Sequence, residues 1–138
     1  MALERTLTIV KPDAVAGGHA GEVITALEET GFRILAMKML RLTREQAEGF
    51  YYVHRDKFFF DSLVKFMTEG PVVVMALERE NAIAALRELM GHTDPAKAGD
   101  GTIRKRFGSS IEGNAIHGSD APETAAFELG FFFDKMEL

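Results

Sequence analysis

Cysteine and tryptophan are absent from this 138-residue chain, and proline occurs only four times. Without cysteine there is no disulfide framework and no thiolate zinc site, and the redox compartment is left open. Long apolar runs are missing as well. The longest, "VVVMAL" at 72–77, is far short of the roughly 20 residues that a helix needs to span a bilayer. Nor is there a surplus of positive charge: 16 basic side chains stand against 21 acidic ones, for a net charge of −5. That balance argues against a general nucleic-acid or anionic-membrane surface but leaves room for a small basic cleft. Two common phosphate cradles are also missing. No G-x-x-x-x-G-K-[ST] occurs, and "GGHAG" at 17–21 neither reads G-x-G-x-x-G nor closes a βαβ unit, which argues against P-loop and Rossmann sites. Glu4 and Arg5 precede any apolar run that could act as a signal peptide, so a cytoplasmic protein is expected.

What is present fits one globular domain, residues 1–138. The apolar share of 46% and charged share of 27% are ordinary, and this length buries a core without staples. "RTLTIV" (5–10) alternates polar and apolar residues and stops before Pro12, which predicts a strand. "GEVITALEETG" (21–31) reads as a helix ending on Gly31. "FRILAMKMLRL" (32–42) is apolar at both parities, as in a strand covered on both sides or one lying at a subunit interface. Thr43 with Gln46 is a capping-box pattern, followed at helical spacing by Ala47, Phe50, Tyr51 and His54. A short helix at 61–70, a buried strand at 71–78 and a helix at 81–91 stopped by Gly91 come next. A long glycine-containing loop leads to "NAIHGSD", and Asp120 is placed to cap a last helix. Without the extra helical hairpin the order is βαββαβ, the ferredoxin-like α+β pattern. A four-stranded antiparallel sheet is expected, with helices over one face and the other open to solvent, a ligand or a partner.

The chemistry gathers around "NAIHGSD", residues 114–120. His117 ends a short strand just before a helix N-terminus, where backbone N–H groups and the helix dipole favour negative charge. A neutral imidazole there can be a nucleophile. The same seven residues also suit a histidine that merely packs beside a cap. Lys11 closes the first strand, Arg87 flanks the buried side of its helix, and Arg104 sits in the long loop. Each alone reads as a solvated charge. Converging on one sheet edge, they are what a phosphate site demands. Phe58, Phe59 and Phe60 cannot all face one core, so one is free for stacking. Glu128, among apolar neighbours, could be solvated or could buttress an imidazole.

Taken together, "ERTLTIVKPDAV", "REQAEGFY", "FFDSLVKFMTEGPVVVMALE", "NAIAALRELMGHTDPAKAGDGTIR" and "NAIHGSD" resemble the nucleoside diphosphate kinase family over nearly the whole chain. The resemblance implies a ping-pong kinase in which His117 carries a phosphoryl group from a nucleoside triphosphate to a diphosphate. It implies that Lys11 holds the sugar 3′-hydroxyl and the moving phosphate, and that Tyr51 stands close to the histidine. Arg87, Thr93 and Arg104 would bind phosphates and Asn114 the ribose. Ser119 and Glu128 would orient the imidazole, while Phe59 and Ile111 would sandwich the base. Mg²⁺ is expected on the nucleotide phosphates and water, with no protein metal cage. Stacking without edge hydrogen bonds accepts any base.

Three positions depart from the family pattern: Phe58 in place of proline, Gly17 in place of a basic residue and Arg106 in place of an aspartate. They bear on loop rigidity and subunit contacts. A homo-oligomer built from dimers is expected, as a tetramer or a hexamer, with the hexamer weakened if Gly17 and Arg106 have removed an ion pair. Nucleotides are the expected partners, with no membrane and no specific nucleic acid. Two rivals remain. An RNA-reading sheet would carry aromatics in its central strands and a basic face, and a non-catalytic relative would lack His117 or its supports. Neither description fits these residues.

Overall fold

The computed structural model describes residues 2–138. Four strands carry the architecture: β1 (Leu3–Val10), β2 (Arg33–Leu40), β3 (Val72–Glu80) and β4 (Ile116–Gly118). They form one antiparallel sheet in the order β2-β3-β1-β4, so the strand bearing His117 lies at an edge, opposite Ile9 of β1. This is the ferredoxin-like α+β arrangement. Between the strands run α1 (Pro12–Ala16), α2 (Ala20–Glu29), α3 (Arg44–Phe50), α4 (Phe60–Thr68), α5 (Ala82–Met90), α6 (Ile103–Phe107) and α7 (Pro122–Phe132).

Helices cover both faces of the sheet. This corrects the expectation of one open face. Val10, Val73, Met75, Leu77 and Ile116 point to a layer built by α1, α2, α5 and α6. Leu7, Ile9, Val72, Val74 and Ala76 point to a second layer built by α3, α4 and α7. The period-2 alternation of β1 and β3 therefore feeds two cores, which is why β3 is buried from Val72 to Leu77. The inserted hairpin α3–α4 supplies much of the second layer. Its start is secured by Thr43 and Gln46, whose side chains each accept the other's backbone N–H, at 3.1 and 2.9 Å. The helix itself ends at Phe50, so Tyr51 caps it and His54 lies in a following 3₁₀ turn.

Two further expectations change, and one of the two alternatives for 32–42 falls. β2 is an edge strand with Met37 and Met39 more than half exposed, so it is not covered on both sides within the protomer. Arg104 lies on α6, a five-residue helix inside the long loop, whose N-terminus is capped by the Thr102 hydroxyl. Asp120 does not cap α7: the Thr124 hydroxyl accepts the Ala121 N–H at 3.0 Å and donates to Asp120 at 2.7 Å.

The path of β4 depends on glycine. A Cβ on Gly118 would lie 2.6 Å from the Met90 sulfur and 2.8 Å from a Leu86 methyl. Its absence lets the strand settle directly on α5. Ile116 and Gly118 thus face α5, and the residue between them, His117, must face α3 and α7.

Candidate active site

A cavity of about 610 Å³ opens at the β4 edge. Of the eleven residues given a site role from the sequence, ten line it: Lys11, Tyr51, Phe59, Arg87, Thr93, Arg104, Ile111, Asn114, His117 and Glu128. The eleventh, Ser119, is fully buried behind it.

His117 is held on one side only. Its Nε2 lies 2.8 Å from Glu128 Oε1 on α7, and the same carboxylate oxygen accepts the Ser119 hydroxyl at 2.7 Å. A carboxylate at Nε2 favours the tautomer with the proton there, which leaves the Nδ1 lone pair unprotonated. Nδ1 has no hydrogen bond among the described residues. Phe50 packs edge-on to the imidazole at 5.3 Å and Tyr51 at 6.2 Å between ring centroids, fixing the ring plane.

Tyr51 contributes a buried phenol whose hydroxyl has no partner among the described residues. Burial, with the Glu128 carboxylate adding to it, pushes its acidity well below that of a free phenol, so it stays a neutral donor. An unpaired buried hydroxyl is costly unless something enters to accept from it.

Two cations, Lys11 and Arg104, sit at the deep end, while Arg87 is exposed. Lys11 is 7% exposed and donates from Nζ to Asn114 Oδ1 at 2.8 Å. Asn114 in turn donates to the Thr93 carbonyl at 3.1 Å. Burial lowers the Lys11 pKa to about 8, Arg104 adds to the effect, and Asp13 and Glu112 oppose it. Arg104 is also buried. It donates to the Gly91 carbonyl at 3.1 Å and to the Ile116 carbonyl at 2.9 Å, and burial with the nearby Arg87 lowers its pKa to about 10. Arg87 reaches toward the Gly118 carbonyl at 3.5 Å. Three cationic side chains lining one cavity have the chemistry to receive an anion.

The chain reaches His117 through a strained turn. Ala115 has φ +75°, and Ile116 N–H bonds back to the Asn114 carbonyl at 2.9 Å, closing a γ-turn. Both polar groups of Ala115 are held: its N–H by Asp13 Oδ2 at 3.1 Å and its carbonyl by the Lys11 N–H at 2.8 Å. These contacts offset the strain of an alanine at positive φ. Asp13 and Phe50 are supporting residues that the sequence reading did not single out. Phe50 carried only a core pattern there, and Asp13 acts across 102 positions.

At the mouth, Phe59 is flanked by His54 and Phe58 with ring centroids 5.7 and 5.5 Å away. Ile111 is 61% exposed. Ser62 on α4 donates to Glu112 at 2.8 Å, which ties α4 to the loop carrying Ile111. Among the described residues, no group of three His, Asp or Glu side chains could hold a metal, and no helix is long and apolar enough to cross a membrane.

A family model described as nucleoside diphosphate kinase matches residues 4–138. The nucleoside diphosphate kinase of Geotalea uraniireducens is 58% identical over 136 residues, covering 99% of each chain. Among solved structures, the Aquifex aeolicus enzyme superposes with a TM-score of 0.97 at 48% identity, again covering 99% of each chain. The halophilic enzyme of Halobacterium salinarum, solved in complex with CDP, gives a TM-score of 0.95 at 42% identity, covering 99% of this chain and 91% of that one. The chain belongs to the nucleoside diphosphate kinase family, enzymes that move the terminal phosphoryl of a nucleoside triphosphate to a nucleoside diphosphate through a phosphohistidine.

Proposed function

We propose that residues 1–138 act as one domain and that His117 Nδ1 is the phosphoryl carrier. The observation that supports this most directly is the Glu128 contact at Nε2, which turns the basic nitrogen toward the cavity and its cations. In the first half-reaction the Nδ1 lone pair attacks the γ-phosphorus. The bond to the bridging oxygen breaks, and its electron pair leaves with the diphosphate. A second diphosphate then attacks the phosphohistidine from the place the first one vacated, and the imidazole is restored.

Phosphoryl transfer asks for alignment and for charge on the equatorial oxygens. Lys11, Arg87 and Arg104 supply that charge, Thr93 joins them at the phosphates, and the Tyr51 hydroxyl donates beside Nδ1. Lys11 and Asn114 reach the ribose hydroxyls. Family enzymes use a divalent cation, and here Mg²⁺ arrives with the nucleotide as part of the substrate, held by phosphate oxygens and water. Enzymes of this kind work where nucleotides are, in the cytoplasm. Incubation with γ-labelled triphosphate tests the proposal: label should appear on protein as a base-stable, acid-labile adduct, and an acid-stable phosphoester would refute it.

Phe59 and Ile111 offer the base two apolar walls, and stacking accepts any base, so broad specificity is expected. Base stacking is worth about 1–3 kcal/mol, and kcat/KM for different bases should span at most about two orders of magnitude. Phe59→Ala is expected to weaken purine and pyrimidine diphosphates together. Steady-state kinetics on four diphosphates checks this, and strict use of one base would contradict it.

We infer also a homo-oligomer built from dimers through the exposed β2 edge, where Met37 and Met39 stand free of the protomer core. Arg106 is not left unpaired by the missing acid: it meets Glu22 of its own chain at 3.6 Å. A charge paired within its own chain is less available to contacts between subunits, which supports a weakened hexamer, a tetramer or a free dimer. An exposed pair contributes only about 0–1 kcal/mol and is screened by salt, so any weakening is small and is sought by light scattering across a salt and dilution series. A salt-resistant hexamer would refute the weakening, and a monomer at micromolar concentration would refute the dimer.

A further inference from the structure

Phe58 is 99% exposed, a rare state for a phenylalanine. Its two neighbours in the run are drawn partly into the protein, and Phe60 packs on the α3–α4–α7 core. Phe58 stands instead on the rim of the cavity, edge-on to Phe59 with an interplanar angle of 82°. Two other large apolar side chains on that rim are also exposed, Val53 at 72% and Ile111 at 61%. The mouth therefore wears an apolar collar outside the slot between Phe59 and Ile111.

We propose that Phe58 is a specificity-determining residue that favours purine over pyrimidine nucleotides. This rests on the reading of Phe59 as the stacking wall. The cavity is polarised: Lys11 and Arg104 lie buried at its deep end and the apolar side chains lie at its mouth. A nucleotide therefore enters phosphates first, and the outer edge of its base stops at the rim. A six-membered pyrimidine is accommodated by the slot itself. The second ring of a purine carries apolar area outward to where the Phe58 edge stands, and it covers surface that is otherwise wet. Phe58 and His54 both contact the Phe59 ring, at 5.5 and 5.7 Å between centroids, so the three rings form one aromatic cluster at the mouth.

The test compares kcat/KM for ADP, GDP, CDP and UDP in the wild type, Phe58→Ala, Phe58→Tyr and Phe59→Ala. Phe58 is fully exposed, so its replacement leaves the core untouched. The purine-to-pyrimidine ratio is expected to fall about three- to tenfold in Phe58→Ala, the scale of one aromatic edge contact, through KM rather than kcat. The ring retained in Phe58→Tyr should keep the ratio within twofold of wild type. A ratio unchanged in Phe58→Ala, while Phe59→Ala weakens all four, would overturn the collar and leave the base slot standing. If Phe59→Ala also changes nothing, the slot is wrong and the collar falls with it.

Discussion

His117→Ala is expected to carry no label after exposure to γ-labelled triphosphate and to lose activity by on the order of 10⁴-fold or more. The size follows from what is removed. Without a nucleophile the ping-pong route has no first step, and the cations that remain can only align two anions that repel each other. The fold should survive, because His117 is one-fifth exposed and contributes no buried apolar anchor. Its neighbours make the assignment sharper. Glu128→Gln keeps a carbonyl that accepts from Nε2 but drops the charge, so it alters an orienting group and spares the nucleophile. The expected order is a large loss for His117→Ala and a smaller one for Glu128→Gln, with labelled protein still formed in the second. Mass spectrometry of the intact phosphorylated chain, read before and after acid, checks both. Full label on His117→Ala would place the carrier elsewhere.

The parts of this molecule that were legible in the sequence are those encoded locally. The capping box at Thr43 and Gln46, the run of β3 and the stop at Gly91 each depend on residues a few positions apart, and each is found where expected. The site's cations are identifiable because Lys11 ends a strand, Arg87 flanks the buried side of α5 and Arg104 stands in the long segment before β4. What was hidden depends on pairing across the chain. Amphipathic α4 announces that one side is buried but not which sheet face receives it, and α7, apolar all round, does not announce even the side. A five-residue helix such as α6 is too short for periodicity to register, so Arg104 read as a loop residue. The bracket on Ala115 joins residues about a hundred positions apart, and its positive φ has no glycine to betray it. Arg106 looked like half of a lost ion pair, and only the approach of α2 to α6 supplied Glu22.

Lys11→Met is expected to remove most of the activity while leaving the protein at least as stable near neutral pH. Burial holds the Lys11 ammonium pKa at about 8, against 10.5 for a free lysine. Below pH 8 the side chain is charged in both folded and unfolded chains, and the fold bears the full penalty, on the order of 3 kcal/mol. Between about pH 8 and 10.5 the folded chain gives up its proton while the unfolded chain keeps it, so this group makes stability rise with pH. Methionine fills the same space without the charge. It forfeits the bond to Asn114, worth about 1 kcal/mol, and it should lack the rise. The penalty comes from burial and from Arg104, and the phosphates of a bound nucleotide would offset it by stabilising the ammonium. Losing one such cation should lower kcat by about 10²–10³-fold. In the wild type kcat/KM should decline above pH 8, where the free enzyme begins to lose this charge. Urea unfolding at pH 7 and pH 10, with kinetics on the same samples, tests the linkage. A Lys11→Met protein several kcal/mol weaker at pH 7, or one that retains full kcat, would break it.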